Sequence, residues 1–438
     1  MAVAGLKQCA RRIFAATLRA IDIPQTMERK LGRRGPLMRC GDMVVDLRDY
    51  GRIRVVAIGK AAHGMAEGLA RAMGPEFRAE GVVAASSAAE PPLPGLKCFA
   101  GGHPLPTEKS LAAGRAILEL LRGCDAETLV FFLLSGGGSS LVEWPLDEEV
   151  TLEELRTLHQ ALVTCGAPIE EINAVRKHVS AVKGGRLAVA AGPAMKLTFG
   201  VMDVPEGKED ALASGPTLPD STTVQDARRV IEEYGLGERL PRRIRVMFDS
   251  ERIAETPKET DAAFGRGAFS VLLGRHDLLH QAHRAAEAEG FVTQCDDATD
   301  GWPARKAAGF LLEELAEMRR ENPGRRVALV ADGEVLSRVT GSGAGGRNAA
   351  FVLDCVARIS GQPLAVLSGG TDGIDGNSPA AGAVADGETL ARARAAGLDA
   401  ADLQRRCDSY SFFAALGDAV VTGATGNNLR DLRILLAE

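Results

Sequence analysis

Residues 129–134 read Leu-Val-Phe-Phe-Leu-Leu and break directly into Ser135-Gly136-Gly137-Gly138-Ser139-Ser140. Six apolar, β-prone residues without alternation predict a strand buried on both faces, which belongs in a parallel sheet covered by helices. Three consecutive glycines predict a loop whose backbone comes very close to something. At the carboxyl end of a strand in an open α/β sheet, the amides of such a loop suit a phosphate or carboxylate. A tight strand-to-helix turn without a ligand is the competing reading.

Similar junctions recur along the chain. Residues 53–58 (IRVVAI) run into Gly59-Lys60-Ala61 and a helix, so Lys60 is either an ammonium presented to an anion or a solvated surface lysine. Short strands at 82–85 and 97–100 flank the Pro-rich turn Glu90-Pro91-Pro92-Leu93-Pro94-Gly95, and Gly102-His103-Pro104 follows in a rigid loop. Residues 197–202 form a strand ending at Asp203, a carboxylate placed to hold a metal, to orient a hydroxyl or to cap a turn. Before it, Arg176, Lys177, Lys183 and Arg186 put four cations into eleven residues. Helical spacing is not expected to bury all four, which leaves an anion-facing cluster or a solvated face.

The opening helix, within residues 8–30, is expected to end at Pro24. A charged, Pro-containing stretch at 235–262 divides the chain into domains 1–240 and 241–438, the second half starting with a strand at 269–273. There, strands at 327–331 and 335–340 precede Gly341-Ser342-Gly343-Ala344-Gly345-Gly346-Arg347-Asn348, which opens a helix. A strand at 364–367 then delivers Ser368-Gly369-Gly370-Thr371-Asp372-Gly373-Ile374-Asp375, echoing Ser135-Gly136-Gly137. The fold class expected is α/β: two α/β domains, the first Rossmann-like with a mostly parallel sheet, and an active-site cleft between them.

Composition narrows the function. With 438 residues, 45% hydrophobic content and a net charge of -6, the chain is read as two or three soluble domains. Aromatic residues make up only 4% and no long Lys/Arg block occurs, so no nucleic acid is expected as partner. No stretch approaches a membrane span, and a cytoplasmic location is the expectation. The eight cysteines form no CxxC pair and are read as reduced thiols. His276, His280 and His283 share one helix face and are read as surface residues rather than a metal site.

Gly341, Gly343 and Gly346 match G-x-G-x-x-G, which raises a nicotinamide-dependent reductase as one reading. The next strand, however, ends in Ser368-Gly369-Gly370 instead of a ribose-binding acid, and no Walker A sequence occurs. Phosphoryl transfer is the other reading, because amide-rich loops, carboxylates and cations all stand at loop mouths.

Taken in order, Gly59-Lys60-Ala61, Gly102-His103-Pro104, residues 135–139, 173–187, 203–217, 343–348 and 371–376, and the Thr422-Gly423 loop resemble the type II glycerate kinases with their MOFRL C-terminal domain. The resemblance implies ATP- and Mg²⁺-dependent phosphorylation of D-glycerate to 2-phosphoglycerate by a monomer or homodimer that meets only small molecules. It implies catalytic roles for Lys60, Asp203 and Arg347, with Asp203 also toward metal. Substrate or phosphate contacts would fall to Ser135, Gly136, Gly137, Gly138, Ser139, Asn173, Arg176, Lys183, Gly343, Gly345, Gly346, Asn348, Thr371, Asp372 and Asp375. Older naming in the family includes hydroxypyruvate reductase, which coincides with the NAD(P)H alternative. The chain departs from the family pattern at Met202, Glu206, Val335, Ala424 and Asn427, and these changes leave another small sugar acid open as acceptor.

Overall fold

The computed structural model describes residues 4–87, 95–204, 207–250, 253–427 and 429–438. The Pro-rich turn at 90–94, Pro205 and Glu206 after Asp203, and Asn428 in the last loop lie outside the described residues. The chain forms two compact units, Ile23–Leu272 and a second made of Leu273–Glu438 with the segment that ends at Asp22.

In the first unit a small hairpin, β1 (Leu37–Cys40) and β2 (Met43–Asp46), precedes a six-stranded sheet. Its strands are β3 (Arg52–Ile58), β4 (Glu80–Ala85), β5 (Leu96–Ala100), β6 (Thr128–Ser135), β7 (Met195–Val201) and β8 (Gly267–Leu273), in the order β5-β4-β3-β6-β7-β8. The pairings of β3 with β4 and β6, of β4 with β5 and of β6 with β7 are all parallel. Counted from β3, this is the 3-2-1-4-5-6 order of the Rossmann fold, whose connections reverse direction between β3 and β6. All eight residues of β6 are buried, as its unbroken apolar run predicts. A separate apolar core joins the helices Leu152–Val163, Ile169–Val179, Val224–Glu233 and Arg242–Asp249.

The second unit holds β9 (Val292–Asp296), β10 (Val327–Asp332), β11 (Leu364–Gly370), β12 (Gly382–Asp386), β13 (Ala419–Val420) and β14 (Asp431–Ala437) in a mixed sheet ordered β13-β12-β11-β14-β10-β9. β9 and β10 are parallel, and β14 runs antiparallel between β10 and β11. The core lies between this sheet and the helices Ala304–Glu321 and Arg347–Val356.

The structure differs from the sequence expectations at several places. The strand expected to begin the second half is β8, the sixth strand of the first sheet, so the compact units divide at Leu272 and not at residue 240. The opening helix, Ala4–Ala20, belongs to the second unit, where buried Lys7 pairs with Asp418 at 3.0 Å and with Asp386 at 3.3 Å. Phe14 packs over Gly369 so closely that a methyl group on that glycine would come within 2.8 Å of the ring. Pro24 does not end this helix; it lies in the first turn of the next, Ile23–Lys30, where its missing N–H costs nothing. Residues 335–340 form no strand, only a bridge from Leu336 to Pro303, because both edges of β10 are already paired with β9 and β14.

Candidate active site

β3, β6 and β7 are neighbours, with Ile58 opposite Leu134 and Ser135 opposite Val201. Lys60, Gly136 and Asp203 therefore follow the carboxyl ends of three adjacent parallel strands, at and beside the point where the connections reverse. Two contacts lock the first of these junctions. The Lys60 amide donates to the Gly136 carbonyl at 2.9 Å, and the Ala61 amide donates to Ser135 Oγ at 3.0 Å. Gly59, with φ of 125°, leaves no room for a side chain, since a Cβ would lie 2.2 Å from Ser135 Oγ.

Gly137 adopts the left-handed conformation at φ 81° and starts the short helix Gly138–Leu141. The space above it is bounded by Lys60 Cγ at 3.4 Å and His103 Nδ1 at 3.6 Å from where a Cβ would stand. His103 Nδ1 also lies 3.1 Å from Ser140 Oγ. The amides of Gly136, Gly137, Gly138 and Ser139 make no hydrogen bond among the described residues. Four successive amides without internal partners are donors that a small anion could satisfy.

Ser139 Oγ lies 2.8 Å from Ser214 Oγ, which donates to Asn173 Oδ1 at 2.9 Å. Ala213 and Ser214 both have positive φ, 51° and 60°, in the loop that carries this contact. Ser214 was not among the expected site residues, and the one signal for it was the small-residue run Ala213-Ser214-Gly215.

The cation cluster is not a solvated face: helical spacing leaves one of the four only half-buried, but the other three lie inside the unit. Arg176, Lys177 and Lys183 are all buried and Arg186 is half-buried. Lys177 is paired with Asp210 at 3.0 Å and Asp220 at 3.1 Å. Lys183 lies 2.6 Å from Glu143, a carboxylate that also accepts from Ser180 at 2.6 Å and meets His159 at 3.1 Å. Burial alone would raise the Glu143 carboxyl, but the Lys183 ammonium and the His159 contact outweigh it and hold it at about 2. Arg176 and Arg186 make no hydrogen bond or ion pair with protein among the described residues, and Arg176 Nε and Arg186 Nε and Nη2 are buried.

In the second unit Arg347 begins its helix and is held by two carboxylates, Asp431 at 2.5 Å and Glu334 at 2.8 Å. Burial would lower the guanidinium pKa, but these two acids outweigh it and raise it further. Here the centre of the glycine loop is internally satisfied. Gly343 N donates to the Arg406 carbonyl, Ala344 N to Asp408 and Gly345 N to Asn377. Asp375 takes the amides of Asn348 and Ala349, both at 2.9 Å, so the helix N-terminus already carries an anion. Burial pushes the Asp375 carboxyl up to about 6. Thr371 Oγ1 accepts from the amides of Leu429 and Arg430, and Asp372 Oδ1 accepts from the Ile374 amide. With no strand before it and the amides of Gly343, Ala344 and Gly345 already engaged, the G-x-G-x-x-G stretch lacks the setting of a dinucleotide fingerprint.

A Rossmann-ordered unit with open loop amides at its reversal point and a second unit built on a mixed sheet define a two-unit α/β protein. Family models match the chain over residues 9–249, as the domain of unknown function DUF4147, and over residues 327–431, as the MOFRL family. The D-glycerate 2-kinase of Thermotoga maritima is 36% identical, with 87% of this chain and 90% of that protein aligned. A putative hydroxypyruvate reductase of Agrobacterium vitis is 34% identical over 98% of this chain and 94% of its own. The crystal structure of glycerate kinase from Thermotoga maritima superposes with a TM-score of 0.84 at 33% identity, covering 99% of this chain and all of that one. The chain belongs to the glycerate kinase family that joins a DUF4147 domain to a MOFRL domain.

Proposed function

We propose that this protein transfers the γ-phosphoryl group of ATP to the 2-hydroxyl of D-glycerate, giving 2-phosphoglycerate and ADP. The observation that carries the reading is the set of open loop amides of Gly136–Ser139 at the β3/β6 reversal point, with Lys60 beside it. Phosphoryl transfer asks a protein mainly to position groups and to neutralise charge. The four amides and the Lys60 ammonium supply that for a phosphate. Asp203 is assigned to orient the accepting hydroxyl, and Arg347, fixed by Asp431 and Glu334, to hold anionic charge.

Mg²⁺ fits this arrangement as an ion carried by the nucleotide. Such sites take one or two protein carboxylates and complete their shell with phosphate oxygens and water. Asp203, half-buried past the end of β7, is the carboxylate that would hold it, and no group of three or more potential metal ligands occurs among the described residues. The ion would supply charge neutralisation at the phosphates. The same reading makes the protein a cytoplasmic enzyme of soluble small molecules.

The test is direct. Purified protein with Mg-ATP and a panel of hydroxy acids should form ADP with D-glycerate and little with the others. NAD(P)H consumption with hydroxypyruvate and no ATP turnover would overturn the kinase. Lys60→Ala should lower turnover at least ~10²-fold with the fold intact.

A further inference from the structure

The four cations of residues 176–186 divide into two kinds. Lys177 and Lys183 are neutralised by Asp210, Asp220 and Glu143, whereas Arg176 and Arg186 have no carboxylate or other hydrogen-bond partner among the described residues. Arg176 is only 8% exposed, and burying an unpaired guanidinium costs several kcal/mol or more. Burial accordingly lowers the pKa of both arginines. Of these four neighbouring cations, three buried and one half-buried, two are ion-paired, while Arg176 and Arg186 feel only the more distant charges of Glu143 and Asp220 and leave guanidinium donors open.

Backbone contacts bring these groups to one segment. Asn173 and Arg176 lie one turn apart on the helix Ile169–Val179, and Asn173 accepts from Ser214. The Ser214 carbonyl accepts from Gly184 N, Gly215 O from Gly185 N and Pro216 O from Leu187 N, so the turn bearing Arg186 lies along the same 214–217 segment. Further orphaned donors occur there: Asn173 Nδ2 and Thr217 Oγ1 are buried without partners among the described residues. At the other end of the chain of contacts, Ser139 joins Ser214 directly to the amide loop.

We infer that Arg176, Arg186, Asn173 and Thr217 form the site for the carboxylate of the acceptor acid, next to the amide loop that takes the phosphoryl group. The assignment to an acid acceptor rests on the kinase reading; the presence of a small-anion site does not. A guanidinium presents a planar fork that matches a carboxylate, and two of them explain why an acid and not a neutral polyol would be the acceptor. Lys183, which the family resemblance places at the ligand, is ion-paired with Glu143 at 2.6 Å.

Isothermal titration calorimetry of the full chain with D-glycerate, inorganic phosphate and ATP decides the matter. Arg176→Gln and Arg186→Gln should each weaken D-glycerate at least ~10-fold, the effect of losing a charged hydrogen-bond partner, and change ATP affinity less than about 2-fold. Turnover should show the loss in KM for the acid, and discrimination between D-glycerate and its neutral amide should collapse. Should Arg176→Gln fail to fold, Arg176→Lys, which keeps the charge and loses the fork, gives the same readings in milder form. Wild-type D-glycerate affinity in both arginine variants overturns the site, as does a wild-type chain that binds neither D-glycerate nor phosphate. Weakened ATP with unchanged D-glycerate overturns the assignment to the acid. If D-glycerate binds and the arginine variants lose it while no ADP forms, the kinase reading fails and the anion site stands.

Discussion

Two buried carboxylates titrate in opposite senses. Glu143 is held at about 2, below its ordinary 4.5, so its ionised form stabilises the fold above pH 4.5 and that contribution fades as pH falls toward 2. Asp375 is raised to about 6 from 3.8, so the folded state keeps its proton longer, and stability falls as pH rises from about 4 to 6. The drop amounts to at most about 3 kcal/mol. Asp375→Asn should remove that slope, which denaturant unfolding of both proteins between pH 4 and 7 would reveal; identical slopes would contradict the shift. Glu143→Gln leaves Lys183 charged and buried without a counter-ion, at a cost of ~3–5 kcal/mol. The double change Glu143→Gln with Lys183→Met should recover part of that loss in the same unfolding measurement. None of this was legible in the sequence, because Lys183 finds its partner 40 residues away and spacing on one helix says nothing of what packs against it.

At the scale of elements, the two glycine loops look alike as sequence and differ as structure. Apolar runs such as 129–134 and 364–367 identified their strands, since an unbroken run of this length has few other places to go. Whether the loop amides after them are open was not legible. Residues 343–345 are satisfied by Arg406, Asp408 and Asn377, and the helix after them by Asp375, all distant in the chain, whereas residues 136–139 meet no such partner among the described residues. The Rossmann-like, mostly parallel character of the first unit was legible from its strand-to-loop-to-helix junctions, whereas the particular strand order of β3 to β8 was not, because crossover direction leaves no mark on composition. Gly137→Ala should therefore act on ligand more than on fold. Left-handed backbone costs an alanine about 1 kcal/mol, and the new methyl would stand 3.4 Å from Lys60 Cγ, inside the proposed phosphate path. ATP affinity should fall about 10-fold or more with a small change in melting temperature; unchanged affinity would move the phosphate elsewhere.

The whole molecule is divided differently from its sequence. An amphipathic opening helix can pack on any apolar face, so nothing in residues 4–20 showed that Leu6, Ile13 and Phe14 would be buried in the second unit. A fragment of residues 273–438 should expose the face that Phe14 covers and leave Asp418 and Asp386 without Lys7. It should be poorly soluble or lack fixed tertiary packing by near-ultraviolet circular dichroism, and a peptide of residues 4–22 should restore both. A fragment equally well ordered without the peptide would show the helix to be dispensable.

The ion pair of Lys7 and Asp418 spans 411 residues. During synthesis the helix leaves the ribosome well before the strands it must cover, and at ordinary rates of elongation the residues between Lys7 and Asp418 take roughly 20 to 80 s to make. Through that interval its apolar face has nothing of its own to rest on. A chaperone or a provisional contact on this helix would cover that interval, and cells making this protein should be more sensitive to loss of such help than its finished stability suggests.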